Sequence, residues 1–350
     1  TPLHTQEASI NIQHSMKYLL PTEWATLLYI ILTTLFACFL WPQMANPMAI
    51  LTTRLCVLVV MATLILIYRW RPNIWTRLFR HFFPLTLLGV WYPETYEFCR
   101  CFPYLDHLFA QADQSFFGCQ PSLLFSQWLD GKVWSELFHL GYWAYYPMIV
   151  VTVFGPLGPF LNRRQTPAYY GEALATCNRT GFVVLASFFL YYLIYIFVPV
   201  AGPHCYFHAL GVEAAMRGEF ADLGNYFATH TAMMDLPGPD GIFRSWVEMA
   251  HQSGECPTAA FPSSHVGIAT ILMLIQWRNK NRLDFCLLIP FYVFLCGATV
   301  YIRAHYLVDV LGGFATAFAF YYLCNAIYDR FFAKQHSFLT CQSSNNTIPS

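Results

Sequence analysis

Two histidines in the C-terminal third of the chain have the company needed for nucleophilic and acid–base work on phosphorus. His265 closes the run Pro262-Ser263-Ser264-His265, and His305 is followed four positions later by Asp309 and preceded by Arg303. One imidazole can attack phosphorus, the other can protonate the leaving oxygen, and a carboxylate beside the attacker can hold its ring in the productive tautomer. The expected catalytic groups are therefore His305, His265 and Asp309, in a scheme that calls for no metal and no cofactor. Ser263, Ser264 and Arg303 are the expected phosphate-binding groups. A proline and two serines start a helix whose free N–H groups attract an anion, and a guanidinium offers a fork of donors to phosphate oxygens. Taken singly, the first motif also fits an ordinary helix cap and the second a structural His–Asp pair.

The elements that must carry these groups are membrane helices. Of the 350 residues, 57% are hydrophobic and 11% charged, well under the ~25% charge of a soluble domain. Net charge is zero, which leaves no basic field for nucleic acid. A bilayer crossing takes about 20 mostly apolar residues. Clear candidates are Trp24–Trp41, Met48–Tyr68, Glu136–Phe160, Thr180–Val200, Phe285–Ile302 and Tyr306–Ala326, with shorter ones at Ser264–Trp277 and His81–Tyr92. The polar stretch Thr1–Glu23 has no apolar core with a small-residue cleavage site, so no cleaved signal peptide is expected.

Charge orients these spans. Basic clusters follow the second span (Arg69, Arg71, Arg77, Arg80), the third long one (Arg163, Arg164, Arg179), Trp277 (Arg278, Lys280, Arg282) and the last span (Arg330, Lys334). Basic residues mark the cytoplasmic side. Returning from Arg80 to Arg163 on one side takes an even number of crossings, so His81–Tyr92 is counted as a span. The expected fold class is an all-α polytopic bundle of about eight spans with both termini cytoplasmic. Residues 1–80 would form an N-terminal segment and two-helix hairpin, 81–330 a six-helix catalytic domain, and 331–350 a tail. The same parity puts 93–135, the long loop 201–263 and both histidine motifs on the opposite face. Cys99, Cys101, Cys119, Cys205 and Cys256 also fall there. A Cys205–Cys256 bridge would staple the long loop, and Cys119 would pair with Cys99 or Cys101, free thiols being the alternative.

A carboxylate one turn inside an apolar helix is costly, which marks Asp309 as functional. Gly312 and Gly313 allow a neighbouring helix to come close. His139, Tyr142, Tyr145 and Tyr146 near one end of a span fit an aromatic belt better than a sugar- or inositol-binding surface. Arg54, within a span, reads as snorkelling or paired. The loop 201–263 is too long for a mere connector and is expected to cover the site.

Together the two motifs resemble the type 2 phosphatidic acid phosphatase superfamily, which has Pro-Ser-x-His before one helix and His-x-x-x-Asp at the start of another, with one helix pair between. The resemblance implies that His305 becomes a phosphohistidine, Asp309 orients it and His265 is the general acid. It implies phospholipid or sphingolipid substrates and a membrane setting. Three family cations are missing. Thr299 stands six residues before His305, and Tyr195 and Gly202 occupy the lysine and arginine positions before Pro203. The run Tyr301–Gly313 and the turn Gly202-Pro203-His204-Cys205-Tyr206 are instead similar to the inositol phosphorylceramide synthase branch, which moves a phospho-headgroup between lipids. Fewer cations suit a phosphodiester, with its single negative charge, and Arg217, Arg244, His204 or His208 from the loop are available to add more. The expected function is thus a lipid headgroup phosphotransferase with its site on the non-cytoplasmic face, periplasmic in a bacterium or lumenal in a Golgi membrane. The alternative is a lipid phosphate phosphatase using water as acceptor. A transporter or scaffold is disfavoured because the polar residues cluster at one face rather than at the midplane.

Overall fold

A computed structural model describes residues 19–156, 158, 167–252 and 254–333. The described residues are helical with no strands. Helices α1 (Pro21–Leu40) and α2 (Pro47–Trp70) form the N-terminal hairpin, α3 (Ile74–Thr86) and α4 (Leu88–Cys99) a broken third element. Short helices α5 (Asp106–Phe117) and α6 (Pro121–Trp128) precede α7 (Lys132–Trp143) and α8 (Tyr145–Phe154). Then come the long α9 (Pro167–Phe197), the loop helices α10 (Pro203–Leu210), α11 (Val212–Met216) and α12 (Ile242–Gln252), and finally α13 (Ser264–Arg278), α14 (Arg282–Tyr301) and α15 (Leu307–Phe331).

Among the described residues six helical stretches are long and apolar enough to cross a membrane: Pro21–Gln43, Pro47–Trp70, Lys132–Phe154, Glu172–Phe197, Arg282–Tyr301 and Leu307–Phe331. The two shorter expected spans differ from the rest. His81–Tyr92 lies inside the α3–α4 pair, which breaks at Leu87 just after Pro84, where a proline ring and its missing N–H interrupt the helical ladder. The Glu136–Phe160 stretch bends at Ala144, and Pro147 supplies the same cause. The other short one, α13, has 15 residues, about 22 Å at 1.5 Å per residue. It packs against α15, α14, α8 and α9 at the centre of the bundle, and Val266, Ile268, Ala269, Ile271 and Leu272 are fully enclosed.

Glycine lets α13 and α15 approach. A Cβ on Gly313 would lie 2.6 Å from the carbonyl oxygen of Ser263, and one on Gly312 2.6 Å from the Phe261 ring. This close contact sets the end of α13 against the start of α15, as the Gly312-Gly313 pair suggested. The hairpin α1–α2 is tied to α4 by a buried two-pronged ion pair, Arg54 Nη2 to Glu94 Oε1 at 2.7 Å and Nη1 to Oε2, with the Thr33 hydroxyl accepting from Nη2, the Thr34 hydroxyl from Nε and the Ile50 carbonyl from Nη1. Arg54 thus pairs rather than snorkels.

The expected disulfides are not formed: Cys99, Cys101, Cys119, Cys205 and Cys256 are all free thiols. The Cys99 thiol instead donates to the carbonyl of Tyr195 at 3.2 Å.

Candidate active site

Four segments meet where α13 and α15 begin, and backbone contacts join them. Residue 260 stands between two of them: Ala260 N donates to Val200 O at 3.1 Å, and its carbonyl accepts from His305 Nδ1 at 2.7 Å. Ser263 N donates to Asp309 O at 3.0 Å, linking the two histidine motifs directly. The Tyr195 hydroxyl accepts from Ser264 N and donates to Pro262 O, both at 3.1 Å. The Arg303 carbonyl accepts from His204 N at 2.9 Å and from its Nδ1 at 3.0 Å.

These contacts bring His265 and His305 together, ring centroids 5.7 Å apart and edge to face. The Ala260 carbonyl places the His305 proton on Nδ1 and leaves the lone pair on Nε2. Burial holds the His305 imidazole down at about 4, against smaller upward pulls from the Ala260 carbonyl and Glu255. It is therefore neutral at pH 7. His265 is packed between Tyr142, stacked at 4.6 Å, and Tyr145 at 4.5 Å. Both tyrosines are about 5% exposed, so they belong to the site and not to a belt; Tyr146, half exposed, does fit a belt.

Asp309 sits differently from the expected orienter. Its Oδ2 is 3.7 Å from His305 Nδ1, too far for a hydrogen bond, and accepts instead from Tyr306 N at 2.8 Å. The ring is oriented by the Ala260 carbonyl, and the Asp309 carboxylate, fully enclosed, lies beside it without bonding to it. Geometry explains the difference: a carboxylate on the first turn of a helix that starts with Tyr306 as cap closes on its own cap N–H first.

The phosphate-binding candidates separate. Ser263 caps α13 through Oγ and Val266 N at 3.4 Å, and Ser264 lies beside it at the helix end. The Arg303 guanidinium extends to the long loop, where Nη1 donates to Asp235 O at 3.2 Å. Arg217 pairs with Glu219, and Arg244 with Asp240 and Glu248; neither has a contact with the two motif histidines. His204 does join the site.

The missing family cations have structural substitutes. Tyr195 bridges the Pro262–Ser264 turn where the lysine would stand. Gly202 has φ +97°, and a Cβ there would lie 2.8 Å from the Ala304 carbonyl, so the arginine cannot be accommodated without moving the corner. Thr299 is buried and bonds back to Cys296 O at 2.9 Å.

Several site groups carry no sequence motif. His251, at the end of α12, has its ring 6.1 Å from Tyr142 and 6.3 Å from His204. Glu255 accepts from the Tyr92 hydroxyl at 3.3 Å and lies within electrostatic reach of His204 and His305. The only available signal for His251 was its place four residues after the buried Val247, on the inward stripe of α12. Two buried carboxylates of α5 hold the frame. Asp106 accepts from Ala201 N and Gly202 N, and Asp113 from Leu307 N and Val308 N, all four at 2.9 Å.

This geometry is that of a polytopic helical bundle in which two histidines are paired where two helices begin. Residues 108–323, more than half of the chain, match the PAP2 superfamily, and the chain belongs to that superfamily. It is accordingly an integral membrane enzyme of the phosphatase or phosphotransferase type, acting on lipid phosphate esters. Comparison with curated proteins gives no match, and comparison with solved structures gives none.

Proposed function

We propose that the chain is a lipid headgroup phosphotransferase that works through a phosphohistidine on His305, resembling the inositol phosphorylceramide synthases. One observation carries this reading: neutral residues, Tyr195, Gly202 and Thr299, stand at the three positions where a phosphomonoesterase of this superfamily presents cations. A monoester dianion needs several positive donors; a diester carries one negative charge. The positive end of the α13 dipole, with the Ser264 hydroxyl, suits the smaller charge, the Ser264 and Val266 N–H groups being already taken by the Tyr195 hydroxyl and Ser263 Oγ.

In the first half-reaction His305 Nε2 attacks phosphorus, the bond to the departing lipid alcohol breaks, and His265 gives that oxygen its proton. Asp309 offsets the positive charge that develops on the His305 ring. In the second half-reaction a lipid hydroxyl attacks the phosphorus on His305, the N–P bond breaks and its electron pair returns to Nε2. A ceramide-type hydroxyl is the acceptor this reading favours. No step calls for a metal.

The site is assigned to the face opposite the four basic clusters. Thr231→Cys, in the exposed part of the long loop, should react with an impermeant thiol reagent outside the cell, and Asn279→Cys should not; labelling only of the latter would invert the assignment. The functional test is a lipid assay in detergent. Phosphatidylinositol with ceramide should yield a new phospholipid. Free phosphate from phosphatidic acid, with no transfer in the first mixture, would make the enzyme a phosphatase.

A further inference from the structure

The two motifs leave part of the pocket unexplained. Glu255 is a carboxylate placed within electrostatic reach of His305, where an anionic phosphate must bind. Like charges at such a distance oppose binding, so a purely electrostatic role for Glu255 would work against the reaction. Among the described residues its one hydrogen-bond donor is the Tyr92 hydroxyl, on Oε1.

His204 points to the missing partner. Its Nδ1–H is committed to the Arg303 carbonyl at 3.0 Å, which makes Nε2 an acceptor. That Nε2 is buried and has no hydrogen-bond partner among the described residues. The His251 Nε2 beside it is in the same position. Burial holds both rings down at about 4, so they stay uncharged and do not form ion pairs with Glu255. His204 Nε2 is thus a buried acceptor without a donor among the described residues, and it belongs to a ring within electrostatic reach of Glu255. A buried acceptor left unpaired costs about 1–3 kcal/mol, and the group that relieves it must bring its own O–H. A trimethylammonium head has no such proton. A hydroxyl has one, and it is the group the second half-reaction requires.

We propose that Glu255 and His204 form the acceptor-hydroxyl subsite, with Glu255 taking the hydroxyl proton as that oxygen attacks the phosphorus on His305. This rests on the phosphotransferase reading above. The new O–P bond forms, the N–P bond breaks with its pair returning to Nε2, and the proton moves to the Glu255 carboxylate. Its passage back to His265, which lost a proton in the first half-reaction, resets the site with no net proton gained or lost. Tyr92 is the positioning residue, fixing the carboxylate through Oε1.

The test separates the half-reactions. Wild-type enzyme, Glu255→Gln, Glu255→Asp and His305→Gln are mixed in detergent with phosphate-labelled phosphatidylinositol; one portion is quenched in alkali to read loading, and another is first chased with ceramide to read release. Glu255→Gln should load label on the enzyme at the wild-type rate and release it to ceramide about 100-fold more slowly, the size of a lost general base. Glu255→Asp should load normally and release at an intermediate rate; it decides the matter if the glutamine variant does not fold. Slowed loading with normal release, or equal loss in both steps, would overturn the assignment of Glu255. Failure of the wild type to load at all, or loading that persists in His305→Gln, would instead bring down the histidine route and the subsite with it.

Discussion

His305 Nδ1 and the carbonyl oxygen of Ala260 are 2.7 Å apart, and this contact sets the chemistry of the site. It fixes the tautomer from a backbone atom that cannot be protonated, so Nε2 keeps its lone pair wherever the ring is neutral.

The pH profile should follow. Burial lowers His305 to about 4, so the neutral, nucleophilic form persists well below the usual imidazole range. The acid limb of the donor kcat/KM, which reports only the first half-reaction, should therefore appear only as pH drops through about 4. An acid limb near 6.5, the ordinary imidazole value, would show that His305 is not held as described.

Asp309→Asn should keep the fold and lose rate. The amide oxygen can still accept from Tyr306 N, now at 2.8 Å to the carboxylate, so thermal stability should change little. The group 3.7 Å from Nδ1 can then no longer carry a charge to offset the cation that forms on the His305 ring, and kcat should fall about 100-fold. Wild-type turnover in this variant would make Asp309 a helix cap and nothing else.

Gly313→Ala should separate the two motifs. Its methyl group would press on the Ser263 carbonyl, whose distance of 2.6 Å leaves no room. The expected cost is about 1–3 kcal/mol of stability and, through a shift of His265 against His305, about 100-fold in kcat. Gly89→Ala, where nothing lies within 4 Å of the added methyl, is the matched control and should leave turnover unchanged. Equal effects of the two substitutions would remove the case for a glycine-dependent approach.

The hairpin should depend on Arg54. In Arg54→Met the buried Glu94 loses its partner and should cost about 3–5 kcal/mol, read as a lower unfolding temperature in detergent. Adding Glu94→Gln should recover most of the loss. If the single substitution melts like wild type, the α1–α2 hairpin is held by apolar packing alone.

How much of this was legible in the sequence depends on what each group does. The meeting of His265 with His305 and the Gly312-Gly313 approach were legible because residue type and spacing mark them. The six long helices are visible because apolar length is a direct signal, whereas the α3–α4 break needed the effect of Pro84 on an already short stretch. Tyr142 and Tyr145 looked like a belt because an aromatic at a span end has the same signature whether it faces lipid or a histidine. His251 and Glu255 were missed because helical periodicity marks an inward face without saying what it faces. The Ala260 carbonyl has no side-chain signature at all. Asp309 was read from its spacing to His305, and spacing alone could not show that the cap N–H of its own helix would claim the carboxylate first.

The most direct measurement is to trap the covalent intermediate. Wild-type enzyme mixed with a phosphate-labelled lipid donor and quenched within a turnover should carry label that survives alkali and is released by acid, as an N–P bond does, and the labelled peptide should contain His305. His305→Gln should carry none and should lose turnover by several orders of magnitude. Label on another residue, or near-normal turnover in His305→Gln, would contradict the account.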